Sequence, residues 1–286
     1  MKYIIFGIFF VSATVSAQGM HDRGHGAPAE KSFINHPDAW YQFSLGFESG
    51  FTSIASHTIQ FDSNGTKFDY VDEGGQNIFF PFTRFTAEVT LAKRHTIVFL
   101  YQPLDIHSEA LLRNDLIVDE LTFPADTPMD LHYGFSFWRF SYLYDFNKDK
   151  NKEFAIGLSV QIRNASIRFA SCDGALLRVN QGVGLVPILK FRTRFPFNNG
   201  MWWSSEIDGF YASGKYITGG ENDFVGAILD ASLRLGYELN NSLDTYVNLR
   251  YLGGGARGTN DTPGPGDGYV DNWFHTITLS LGFYIK

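Results

Sequence analysis

From Trp40 to its last residue the chain alternates apolar and polar side chains in long runs, and this period of two most restricts what it can fold into. Successive residues of a strand point to opposite faces, so each run builds one apolar face and one polar face. Tyr41, Phe43, Leu45 and Phe47 alternate with Gln42, Ser44, Gly46 and Glu48. Trp138, Phe140, Tyr142 and Tyr144 alternate with Arg139, Ser141, Leu143 and Asp145. The runs at 84–91, 156–163, 185–194, 229–238 and 273–285 repeat the pattern, and 94–107, 201–212 and 242–253 supply three more candidates. The expected fold class is therefore all-β, with about ten strands.

The connections between these runs alternate in length. Lys93-Arg94, Asn147 to Lys152, Pro196 to Gly200 and Asn240 to Ser242 are short turns. Those near 53–79, 108–130, 170–178, 213–222 and 254–270 are mostly longer and rich in Gly, Asp or Pro. Short turns on one side and long loops on the other are the pattern of an antiparallel transmembrane β-barrel, with periplasmic turns and extracellular loops. Ten strands also return the C-terminus to the side on which the barrel began. A soluble sandwich or lipocalin-like barrel alternates too, but its strands are shorter. Aromatics near strand ends (Tyr41, Trp203, Tyr211, Tyr237, Tyr251, Trp273) suit interfacial girdles. Asn64-Gly65 reads as a hairpin turn between Thr58–Asp62 and Thr66–Val71. If that hairpin entered the wall, the barrel would have twelve strands.

The N-terminus carries an export pattern. Lys2 precedes the apolar run Tyr3 to Val11, and Val15-Ser16-Ala17 offers small residues at a cleavage site. The run is too short to span a bilayer. The expected organisation is a signal peptide over 1–17, a disordered lead-in over 18–38 and an outer-membrane barrel over 39–286. The lead-in holds His21, His25 and His36, which we read as incidental, and no metal or cofactor is expected. A lone Cys172 leaves no internal disulfide. The net charge of −7 argues against nucleic acid. The expected partners are outer-membrane lipid, the barrel-assembly machinery and an unspecified surface ligand.

The stretches VGLVPILKFRTRF from Val183, LRYLGGG from Leu249 and NWFHTITLSLGFYI to Ile285 resemble uncharacterised Gram-negative outer-membrane barrel proteins. The likeness covers the last five strands best and implies fold and location only. The ending Phe283-Tyr284-Ile285-Lys286 departs from the terminal aromatic of many such barrels.

If the apolar face meets lipid, the polar face lines a lumen. There we expect a charge network of Glu88, Arg139, Arg163, Lys190, Arg192, Arg194, Glu206, Asp208, Asp230, Arg234 and Arg250, with Glu48, Arg84, Asp145 and Glu238 on the same faces. The signs nearly balance, and charges in a narrow lumen are costly unless paired. Ten strands enclose little space, so the expected lumen is filled by side chains. The alternative is that Lys190, Arg192 and Arg194 line a narrow anion-preferring pore.

The rim offers one chemical candidate. Asp105-x-His107 closes one strand and Asp130-x-His132 opens the next, so antiparallel pairing can bring the two pairs together. Such a cluster activates water or binds a metal. Omptin-type proteases use Asp and His at the rim, but the surrounding residues do not match theirs. No Gly-x-Ser-x-Gly, phosphate loop or His-Glu-x-x-His is present. Gly253 to Gly266 reads as a flexible loop. The leading reading is a non-enzymatic barrel with a structural or surface-interaction role carried by its loops. A rim hydrolase acting on lipid or peptide is the alternative.

Overall fold

The computed structural model describes residues 34–35, 39–147, 152–197, 199–213, 224–259 and 266–286. The segment read as a signal peptide and most of the lead-in lie outside the described residues. Among the described residues there are fifteen strands: β1 (Tyr41–Phe61), β2 (Phe68–Asp69), β3 (Phe79–Leu91), β4 (His95–Gln102), β5 (Asp105–Leu111), β6 (Leu116–Val118), β7 (Leu121–Phe123), β8 (Pro128–Gly134), β9 (Phe137–Asp145), β10 (Glu153–Ser171), β11 (Leu177–Pro196), β12 (Met201–Ser213), β13 (Val225–Asn240), β14 (Leu243–Thr259) and β15 (Tyr269–Ile285).

The pairing path β11-β12-β13-β14-β15-β1-β3-β4-β9-β10 closes on itself through β10–β11, and every ladder in it is antiparallel. First and last strands meet, from Leu45 against Ile285 to Phe61 against Val270. The result is a closed ten-stranded barrel. Closure satisfies the backbone groups that an open sheet edge would leave bare in hydrocarbon.

Two wall strands are interrupted and then resume. β4 and β5 flank Pro103-Leu104, while β8 and β9 flank Phe135-Ser136, and the register of β4 on β9 carries through to β5 on β8. Pro103 brings no N–H to the ladder, which accounts for a break there. The span expected as one strand, 94–107, is thus two pieces of one line. Likewise the stretch expected as a loop from 108 to 130 holds the end of β5, the β6–β7 hairpin and the start of β8. The Asn64-Gly65 hairpin forms, but β2 pairs only with Thr58 and Ile59 of β1 and stays out of the wall, so the strand number is ten and not twelve. Gly253 to Thr259, expected to be loop, continues β14 instead: its pairing with β15 reaches Thr259 against Tyr269.

One end of the barrel is trimmed short. Leu91 to Arg94 make a tight turn with both central residues, Ala92 and Lys93, at positive φ of 48° and 61°. That hand matches the twist of the flanking strands. Ile34 and Asn35, inside the segment expected to be disordered, are held at this end. Ile34 N–H donates to the Lys286 carbonyl, and the Asn35 amide bonds both backbone groups of Phe43. Short turns mark this as the periplasmic end.

Around the outside runs an apolar belt of exposed side chains, including Phe47, Phe51, Phe85, Phe99, Phe140, Leu158, Leu189, Leu233, Leu249 and Leu279. Above it the other end is closed by a cap. Phe68 and Tyr70 from the first loop, and Leu112, Leu116, Val118 and Phe123 from the second, are buried with Ile59, Phe61, Tyr133, Phe169 and Phe274 of the wall. The two loops are stitched by Thr66 N–H to the Ile117 carbonyl and by Ile117 N–H to Thr66 Oγ1.

Candidate functional site

Strict alternation along the strands delivers the charged side chains to one side, and in the lumen they pair. Arg84 meets Glu206 at 3.0 Å, and Lys190 bridges Glu206 at 2.9 Å and Asp208 at 2.8 Å. Arg139 stands 2.9 Å from both Asp208 and Asp230, and Arg250 reaches Asp230 at 2.6 Å. Arg234 bridges Glu48 and Glu206 at 3.5 and 3.4 Å. Arg192 joins Glu88 and Glu153, while Arg194 and Lys286 share Asp244 at the periplasmic end. Lys190, Arg192 and Arg194 are thus each paired with at least one carboxylate.

Arg163 is the exception and corrects the expected network. It lies on the lumen face, but among the described residues it has no acidic partner, and its guanidinium sits 5.4 Å over the ring of Phe135. The reason is depth. Arg163 pairs with Phe137 and Gly184, above the level of the acidic residues.

At the rim the register sets His107 directly against His132 and Asp105 against Gly134. The two imidazoles stack with centroids 4.3 Å apart, His132 Nε2 contacts Asp105 Oδ1, and His107 Nε2 lies 3.6 Å from Asp105 Oδ2. An ideal Cβ on Gly134 would come within 3.2 Å of the His132 ring, so the glycine gives that ring its path to Asp105. Three of the four expected residues are therefore together. Asp130 is not: it pairs opposite Glu109 and binds Arg168 at 2.5 Å. A two-residue step along β8 carries it away from Asp105. The cluster faces outward from the extracellular extension, with Asp105 58% and His107 61% exposed and His132 only 19%. The three ligand atoms lie within 4.8 Å of one another.

A site that the sequence did not show lies between the cap and the wall. A cavity of about 570 Å³ is lined by Phe61, Tyr133, Phe135 and Phe274, against which the cap packs, and by other upper residues of β10 to β15. Arg163 and Gln161 face it, and Gln161 is held from below by Arg139, so the ion-pair network forms its floor. No periodicity could reveal it, because its walls come from nine strands and the connections between them.

Beside the cavity, within the cap and above the belt, His57 is fully buried. Its Nδ1 donates to Gln76 Oε1 at 2.7 Å, and its ring stacks on Tyr70 at 4.2 Å. Burial pushes its pKa down to about 4. A carbonyl oxygen only accepts, so the proton sits on Nδ1 and the ring is neutral.

Ten antiparallel strands closed on themselves, an apolar belt outside and paired charges inside define a transmembrane β-barrel of the outer-membrane class. No protein-family model matches the chain, and no curated protein matches it. Among solved structures it is similar to the outer-membrane protease OmpT from Escherichia coli, at 9% identity and a TM-score of 0.47, covering 85% of this chain and 96% of that one. It is also similar to Ail, the attachment invasion locus protein of Yersinia pestis, at 7% identity and a TM-score of 0.32 over 85% and 99% of the two chains. A FadL homologue from Pseudomonas aeruginosa matches at 8% identity and a TM-score of 0.36 over 86% and 89%. These are Gram-negative outer-membrane barrels. At such identities and scores the likeness concerns fold alone.

Proposed function

We propose that this protein is a non-conducting outer-membrane barrel that acts through its extracellular half, as a surface-interaction protein, and that it reaches the membrane by signal-peptide cleavage after Ala17 and the barrel-assembly machinery. The observation that carries this reading is the lumen: Arg84 and Glu206 join strands on opposite sides of the barrel, and the side chains around them are buried. A pore needs a continuous wet path, and paired charges packed across the axis remove it. Proteoliposome swelling tests the claim. Vesicles holding the folded protein should swell in small sugars and amino acids no faster than empty ones, and fast swelling would refute it. Gradient fractionation of cells and N-terminal sequencing test the location, with Gln18 as the expected first residue.

A second reading rests on Asp105, His107 and His132. Two imidazoles and a carboxylate within one ion's reach, with the outer side open to water, suit a divalent ion such as zinc. Hydrolysis has less support, because the cluster lies on an outward strand face. Zinc titration by calorimetry on the refolded chain separates the residues: H107A and H132A should each remove the binding heat, and D130A should leave it. No heat, or equal loss in D130A, contradicts the reading.

A further inference from the structure

The wall is split beside the cavity. β11 and β12 pair only from Leu189–Gly209 down to Pro196–Trp202, although β11 continues up to Leu177 and β12 to Ser213. Among the described residues no pairing joins them above that point, while β11 stays paired to β10 and β12 to β13. Pro187, without an N–H, stands two residues past the last pair, as prolines do on an unpaired strand edge. The split begins at belt level: Leu189 pairs with Leu158, midway along the lipid-facing row Phe154, Ile156, Leu158, Val160 and Ile162 of β10. From there it runs toward the extracellular side, so it faces the outer leaflet.

Both banks of the seam also line the cavity, through Gly182 to Pro187 on one side and Phe210 and Ala212 on the other. On the lipid side the banks carry strongly exposed apolar groups, Val183 at 74%, Leu185 at 70% and Tyr211 at 63%. Inside, the walls are mostly apolar and the cation Arg163 faces them without an ion-pair partner among the described residues. An ideal Cβ on Gly184 would fall 2.8 Å from Arg163 Nε, so the glycine leaves that guanidinium its place along the wall. Among the described residues the one carboxylate at the edge, Asp119, is held by Arg178 at 2.6 Å and does not compete for Arg163.

We propose that this cavity binds a single-chain amphiphile with an anionic head, drawn from the outer leaflet through the seam between β11 and β12, with Arg163 as the head-group ligand. The volume fits one small-molecule ligand. The apolar walls stabilise the chain by burial, and a half-buried unpaired guanidinium gains a charge-assisted hydrogen bond from a carboxylate. This goes beyond the non-conducting role, and conduction and binding are measured separately.

The test uses the refolded full chain in a non-ionic detergent, with folding verified by unboiled gel mobility, and cis-parinaric acid as the fluorescent probe. Saturable one-to-one binding is expected for the natural sequence. R163Q should weaken the acid by about tenfold or more while leaving parinaryl alcohol within about twofold, since only the charged head loses a partner. A165F, which fills the cavity from β10, should abolish binding of both. Excess acetate or inorganic phosphate should not displace the probe. Absence of saturable binding by the folded barrel, equal loss of acid and alcohol in R163Q, or displacement by acetate or phosphate would each overturn the proposal.

Discussion

Arg84 and Glu206 are 122 residues apart in sequence, yet their side chains meet at 3.0 Å. β3 and β12, which carry them, lie five strands apart in a ring of ten, so this contact spans the barrel axis. It is the crossbeam of a lattice in which Glu206, Asp208 and Asp230 each meet more than one cation. Desolvating these groups costs several kcal/mol apiece, and only dense mutual pairing offsets that cost. Such a lattice holds the wall strands in register and fills the space that conduction would need.

Removing one node should therefore be expensive. In R139A the carboxylates of Asp208 and Asp230 lose a shared partner but keep Lys190 and Arg250. We expect a loss of about 3 kcal/mol, the lower end for a broken buried pair. Urea unfolding in lipid vesicles measures it. Adding D230N should deepen the loss, because Arg250, whose ion-pair partner is Asp230, then stands without a carboxylate as well.

The cap should loosen in acid through His57. Its pKa is about 4 when buried, against an ordinary value of 6.5. An opened cap takes up the proton near 6.5, so the neutral ring's contribution is complete above that value and fades as the pH falls toward 4. The full loss is about 3 kcal/mol. Hydrogen exchange over 61–78 and 112–127, corrected for intrinsic rate, should rise between pH 6.5 and 4. H57Q should flatten that rise, and an unchanged slope in H57Q would assign the effect elsewhere.

Phe123 is fully buried in the cap core. F123A removes a large ring from a packed site, at about 3–5 kcal/mol. Because the cap and the lumen lattice are separate layers, protease cleavage should appear in the second loop while the barrel keeps its folded gel mobility. Collapse of the whole barrel would show that the two layers unfold together.

How much of this was legible depended on whether a feature followed strand periodicity. The pairing of Lys190 with Asp208, of Arg192 with Glu153 and of Arg234 with Glu206 follows from the alternation, since residues on one face of neighbouring strands are neighbours in space, whereas Arg192–Glu88 and Arg234–Glu48 cross the lumen between strands that do not touch. Asp105, His107 and His132 were findable because two runs flanking one loop must pair. Depth was not readable: Arg163 sits on the lumen face but above the acids of the lumen lattice, and Asp130 is one pleat too far along β8. The cap was hidden because Phe68, Val118 and Phe123 come from connections without a period. The seam was hidden because where β11 and β12 stop pairing is a property of the closed wall.

The central claim is a closed lumen, and planar-bilayer conductance of the folded, signal-free protein tests it most directly. The natural sequence should give no resolvable steps, while a variant stripped of the crossbeam (R84S, K190S and E206S together) should give them. Steady unitary steps from the natural sequence would contradict the account and return Lys190, Arg192 and Arg194 to the role of a selectivity path.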